Sequence, residues 1–138
     1  MPVKMGVAIV SNDVREYIQQ VRMLDEAGVA MIGCGDSQAL YHEQFIRCAL
    51  AAEHTERARV GTWITNPVMR HPAVTAAAIA TVDDLAPGRA FLGVGTGDST
   101  VYNAGLKPAN LRTLERFINT VRELHQDGES QWRITRVT

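Results

Sequence analysis

Charge of one sign is what this sequence lacks most. Its 14 lysines and arginines balance 15 aspartates and glutamates. With no basic stripe interleaved with aromatics, neither nucleic acid nor an anionic membrane surface is an expected partner. Aromatics are scarce too, at two Trp, three Tyr and three Phe. Apolar runs stay well short of the roughly 20 residues that cross a bilayer. The opening MPVKMGVAIV lacks the long apolar region and cleavage site of a secretory signal. Only two cysteines occur, Cys34 and Cys48, and they do not form a CxxC pair. That excludes a disulfide framework and suits a reducing cytoplasm, the expected location. Metal-binding spacing is missing as well: His42-Glu43 does not continue into HExxH, and no metal is expected. There is no G-x-S-x-G elbow and no Walker loop. No nucleophile–base pair is legible, so catalytic residues stay unassigned and a bound cofactor is expected to supply the reactivity.

What is present is a regular alternation of two periodicities. Apolar strand-like runs begin near residues 3, 29, 57 and 89. After the first, Val14, Ile18, Val21 and Leu24 recur at helical spacing, with Asn12 or Asp13 as N-cap and Gly28 as stop. Helical patterns also cover residues 41–55, 72–88 and 110–128, and the tail 129–138 alternates weakly, as a short extra strand would. Strands without alternation, each followed by a helix, imply a parallel sheet covered by helices. The repeat length is close to the roughly 31 residues per unit of a (β/α)8 barrel of about 250 residues. Four units use residues 1–138 as a single domain, with no linker or low-complexity tract between them. A small doubly wound sheet and half of a barrel both fit, and both put the chemistry at the carboxyl ends of the strands.

Candidate residues gather at those ends. GVGTGDS follows the fourth strand, but it fails as a dinucleotide fingerprint because Asp98 stands where the third glycine is due. What remains is a turn that lets backbone approach a flat ligand with Asp98 beside it, or a tight turn with Asp98 or Ser99 as helix cap. GCGDS closes the second strand in the same way, and capping is the plainer reading of Asp36 and Ser37. TWITNPVMRHP is long for a link between strand and helix. Pro72 suits a first helical turn. Arg70 and His71 either help hold an anion there, or Arg70 pairs with a neighbouring loop while His71 packs.

The segment TNPVMRHPAVTAAAIATVDDLAPGRAFLGVGTGDS, continuing through AGLKPA, resembles the bacterial luciferase-like monooxygenase family. The likeness is to its branch of methylenetetrahydromethanopterin reductase and related deazaflavin-dependent enzymes. Weaker similarity runs from residue 3 to about 128 and includes AGVAMIGCGDS. The resemblance implies an α/β chain forming a parallel (β/α)4 half of a TIM barrel, with FMN or the deazaflavin coenzyme F-420 at its mouth. It implies an oxidoreductase that passes a hydride, or uses reduced flavin with oxygen, on a small-molecule substrate. It implies a non-prolyl cis peptide in the third strand, at Trp63–Ile64, backing the cofactor ring. Thr65 and Asn66 would face the ring's polar edge, with Asp36 near the ring and Asp98 at the fourth-strand mouth. Ser37 departs from relatives that carry His after this Asp, which puts assistance from a His there in doubt.

Family members run to about twice this length, so the chain is expected to be an N-terminal half lacking strands five to eight and the usual phosphate site. Its outer strands would be unpaired edges, which favours a homo-oligomer or a complementary half-barrel chain. Weak or absent catalysis is expected of the chain by itself. The competing reading is a non-catalytic half-barrel subunit or inactive remnant that works by association. A small nucleotide-binding sheet is a third, against which the broken fingerprint counts.

Overall fold

The computed structural model describes residues 3–126, and among these the two periodicities become four strands and five helices. They run β1 (Gly6–Ile9), α1 (Val14–Glu26), β2 (Met31–Cys34), α2 (Gln44–Glu53), β3 (Arg59–Thr65), α3 (Pro72–Leu85), β4 (Ala90–Val94), α4 (Ser99–Asn103) and α5 (Leu111–Gln126). The weakly alternating tail lies outside the described residues.

Every strand pairing is parallel, and the order is β1-β2-β3-β4. A doubly wound sheet reverses its strand order at a switch point. This sheet never reverses, and burial marks a single covered face, so it has the arrangement of half a TIM barrel. Ile9, Ile32, Cys34, Val60 and Thr62 point to the covered face and are buried. Ala8, Arg59 and Trp63 point to the other and are exposed. The main core joins that covered face to Tyr17 and Val21 of α1, Phe45 and Cys48 of α2, and Ile79 and Val82 of α3. Each large apolar side chain contributes about 1.5–3 kcal/mol when fully buried. A second cluster sets Phe117 and Val121 of α5 on Ala76, Leu92 and Val94.

Local chemistry fixes where the elements begin and stop. Asp13 caps α1, its Oδ1 accepting the Glu16 N–H at 2.8 Å. Gly28 then supplies the left-handed turn, at φ 79°. Before β3, the Asp25 carboxylate accepts the backbone N–H groups of Glu56, Arg57 and Ala58 at 2.7–3.1 Å. Burial pushes this carboxyl up, but those bonds outweigh it and hold Asp25 below its usual range. Arg89, entering β4, donates to the carbonyls of Thr55 and Ala58 and to the Thr55 hydroxyl at 2.7–2.8 Å.

The strands are shorter than their apolar runs. Val3, Met5 and Val10 remain 97%, 66% and 57% exposed, and pairing on β1 is confined to four residues. The short helix α4 was not anticipated by the sequence pattern, because its five residues are too few to show a period.

Candidate functional site

β3 leaves its ladder with β4 between Thr62 and Thr65, and the intervening Trp63–Ile64 peptide is cis, where the family resemblance puts it. The gap leaves no orphan on Gly93. Thr62 Oγ1 donates to the Gly93 carbonyl at 2.8 Å and accepts its N–H at 2.9 Å. Backbone pairing resumes where the Gly95 N–H donates to the Thr65 carbonyl at 2.9 Å.

The two bulge side chains spread in opposite directions. Trp63 lies over β2 and reaches β1, so that a Cβ on Gly33 would stand 2.5 Å from the Trp63 Cβ. Ile64 lies over Gly93 of β4 and Gly95 just beyond it. Glycine is needed along this track because the bulge takes the space a side chain would fill. Trp63 is 45% and Ile64 49% exposed, forming a broad apolar floor.

Above that floor is a cleft of about 230 Å³. Trp63, Ile64, Thr65 and Asn66 form its base. Gly35, Asp36, Ser37 and Tyr41 make one wall, and Gly97, Asp98, Ser99 and Thr100 the other. All six residues singled out from the sequence, Asp36, Trp63, Ile64, Thr65, Asn66 and Asp98, therefore come together in one place. The two Gly-Asp-Ser turns face each other across the bulge. Ser37 Oγ and Ser99 Oγ are 3.5 Å apart, and Thr100 Oγ1 donates to Gln38 Oε1.

The two aspartates are used differently. Asp36 caps no helix, contrary to the plainer reading. It accepts from Gln38 Nε2 at 2.8 Å, Thr65 Oγ1 at 2.9 Å, and Arg70 Nη2 and Nε at 3.0 and 3.1 Å. Glu43 is the residue that caps α2, through its bond from the Ile46 N–H at 2.8 Å. Asp98 occupies the N-cap position of α4 but makes no side-chain cap bond, and it is exposed. Arg70 thus pairs with a neighbouring loop. Burial disfavours its charge, yet Asp36 and then Glu43 hold its pKa above the ordinary arginine value. His71 caps α3, its Nδ1 accepting the Ala73 N–H at 3.2 Å. Asn66 is buried, and its Oδ1 accepts the N–H groups of Val68 and Met69 at 3.1 and 3.0 Å. The Asn66 Nδ2 group is left over as a donor in the base of the cleft. Sequence reasoning missed Tyr41, Gln38 and Thr100, which carry no motif and meet the site only through folding.

Among the described residues no group of three His, Cys, Asp or Glu is placed to hold a metal. No helix among them is long and apolar enough to cross a membrane.

These features define a class: a parallel β/α sheet of barrel type, with a cleft at the carboxyl ends of its strands. The chain belongs to the luciferase-like monooxygenase family, whose profile matches residues 2–137. It is 46% identical over 54 residues to 5,10-methylenetetrahydromethanopterin reductase of Methanopyrus kandleri, covering 39% of this chain and 16% of that protein. It is 33% identical over 132 residues to an F420-dependent glucose-6-phosphate dehydrogenase of Gordonia bronchialis, covering 85% of this chain and 39% of the relative. The solved coenzyme F420-dependent tetrahydromethanopterin reductase of Methanopyrus kandleri superposes with a TM-score of 0.72 at 26% identity, covering 90% of this chain and 39% of that one. The chain thus spans well under half the length of these relatives.

Proposed function

We propose that this chain provides the ring-binding part of a flavin- or deazaflavin-dependent oxidoreductase, with coenzyme F-420 or FMN as cofactor. The observation that carries this reading is the convergence of the six residues on one cleft over the cis bulge. The residues present fit such a group. A flat ring system needs an apolar face to lie on, and Trp63 and Ile64 offer one. It also needs donors for its polar edge, and the Asn66 amide is unspent. Gly97 takes a positive φ of 109° in the turn beside the cleft, a conformation that favours glycine. The names of the dehydrogenase relative and of the solved reductase, both F420-dependent, favour the deazaflavin.

A cofactor of this type, when bound, accepts or donates a hydride or uses oxygen after reduction. The chain's own work is to position and to shield. Trp63 and Ile64 back the ring, Thr65 and Asn66 fix its edge, and the turns carrying Asp36 and Asp98 bound it on either side. The substrate is a small molecule. Both cysteines are free and buried, in keeping with the reducing cytoplasm.

Binding is tested by titrating the chain with FMN and with coenzyme F-420 and reading absorbance of the isolated complex. A spectrum of one bound cofactor supports the proposal; recovery of neither, at concentrations that saturate relatives, overturns it. We further propose that this is an N-terminal half-barrel domain and that turnover by the chain alone is weak or absent. A family-like rate with reduced cofactor would refute the latter.

Among the described residues β1 and β4 each pair on one side only, and the face carrying Ala8, Arg59 and Trp63 is exposed, which favours a second reading, a half-barrel subunit that acts by association. A homodimer or a tightly held complementary chain on purification supports it, and a lone monomer counts against it.

A further inference from the structure

We propose that Arg70 is a positioning residue for the cleft: by filling the Asp36 carboxylate it ties the β2–α2 turn to the end of the bulge, and leaves Asp98 as the carboxylate free to meet a bound molecule. This rests on the reading of the mouth as a cofactor cleft. Two turns with the same Gly-Asp-Ser sequence have divided the work between them.

A carboxylate offers about four acceptor positions. At Asp36 four donor bonds use them, two from Arg70 and one each from Thr65 and Gln38. The Asp36 side chain is 1% exposed. No lone pair is left for a ligand, so this residue shapes the wall and does not take part in binding through its side chain. Thr65 is the residue that ends the bulge, so its bond to Asp36 transmits the position of the wall to the floor.

Arg70 is the centre of this arrangement. Its side chain is 14% exposed and lies 3.0 Å from Asp36 and 2.6 Å from Glu43. Its guanidinium also sits 5.0 Å from the centroid of the Phe45 ring, on the first turn of α2. Glu43 in turn caps α2. One planar cation therefore fixes the wall residue, the helix cap and the helix itself, while standing on the loop that follows the bulge. A point charge cannot reproduce that two-pronged contact. Across the cleft, Asp98 makes no comparable bond and is exposed.

The test uses the full chain with Trp132→Phe as background, so that Trp63 is the reporter, and with FMN and riboflavin as probes. Arg70→Met and Arg70→Lys are compared with Arg89→Met, an arginine of similar structural weight away from the cleft. The expected result is about a tenfold loss of affinity for FMN and for riboflavin alike in Arg70→Met, partial recovery in Arg70→Lys, and no loss in folded Arg89→Met. Asp36→Asn should weaken binding similarly, and combining it with Arg70→Met should add little, because the two act as one unit. A loss confined to FMN would overturn the proposal, since it would make Arg70 a phosphate contact. Unchanged affinity in folded Arg70→Met would also overturn it.

A chain that binds neither probe leaves the cofactor reading to its coenzyme F-420 titration, and Trp63 would still decide the role of Arg70. In that case Arg70→Met must alter Trp63 emission and its quenching by iodide, with Arg89→Met leaving both unchanged. Trp63 signals that do not distinguish the two variants would end the proposal.

Discussion

Adding one methyl group at Gly33 tests the floor of the cleft more directly than removing any side chain. The new Cβ would lie 2.5 Å from Trp63 Cβ and 2.6 Å from its Cε3. Ordinary carbon contacts are about 3.5–4.0 Å, so the indole must retreat by roughly 1 Å. Overpacking of this kind costs about 1–3 kcal/mol in a closed core. The nearest atom is the Trp63 Cβ, which no side-chain rotation moves, so the backbone of β3 must give way and the cost lies at the upper end. Alanine also restricts the unfolded chain, returning about 0.4–1 kcal/mol. Stability should therefore fall by about 2 kcal/mol. Binding should weaken as well, because a displaced indole gives up ring contact worth about 0.5–1.5 kcal/mol, or roughly two- to tenfold in affinity. Thermal melting and FMN titration of Gly33→Ala, with near-UV circular dichroism to follow Trp63, measure the two effects separately. Gly6→Ala is the graded companion: its Cβ would meet only the far rim of the ring, at 3.0 Å, and should perturb less. A Gly33→Ala chain with native Trp63 dichroism and native FMN affinity would refute the assignment of Trp63 as the floor.

Asp25→Asn removes the charge from a carboxylate that holds three backbone N–H groups, and should cost about 2–4 kcal/mol at pH 7. The folded-state pKa of Asp25 is depressed, so this stability is full above its unfolded value of about 3.9 and is lost as pH falls through the lower folded value. Denaturant midpoints of the two proteins should thus draw together as pH falls below about 4, and a gap that does not shrink on acidification contradicts the account. Asn66→Asp keeps the oxygen that holds the turn at Val68 and Met69 but removes the spare amide donor. Melting should be near native while FMN affinity drops by about tenfold, the worth of about 1.4 kcal/mol; parallel loss of both would mean that Asn66 serves the turn alone. Gly61→Ala would drive a Cβ into the Phe91 carbonyl oxygen of the neighbouring strand, and soluble folded yield should collapse.

Much of the architecture was legible because it is written in local pattern. The four strand–helix units follow from runs and periods, and Asp13, Gly28 and Pro72 sit at the helix boundaries that their chemistry favours. The choice between half a barrel and a doubly wound sheet depends on strand order, which no local pattern encodes. The six candidate residues converge because each lies at or just beyond the carboxyl end of a parallel strand, a rule that needs only the strand ends. What escaped notice is long-range. Thr100 finds Gln38 across 62 positions, and nothing in either residue's neighbourhood announces the pairing. Asp36 and Asp98 look interchangeable in GCGDS and GTGDS. Only folding brings Arg70 to one of them.

The hydroxyl of Thr62 has a consequence for how this strand can vary. It gives and receives at Gly93 as a peptide group would, so a piece of main-chain function is carried on a side chain. Strand geometry and residue identity become one requirement at that point. A bulge shifted along the strand would need its own hydroxyl to travel with it, or Gly93 would be left with an amide and a carbonyl facing nothing. The position of the cleft floor is in this way anchored by an atom that never touches the cleft.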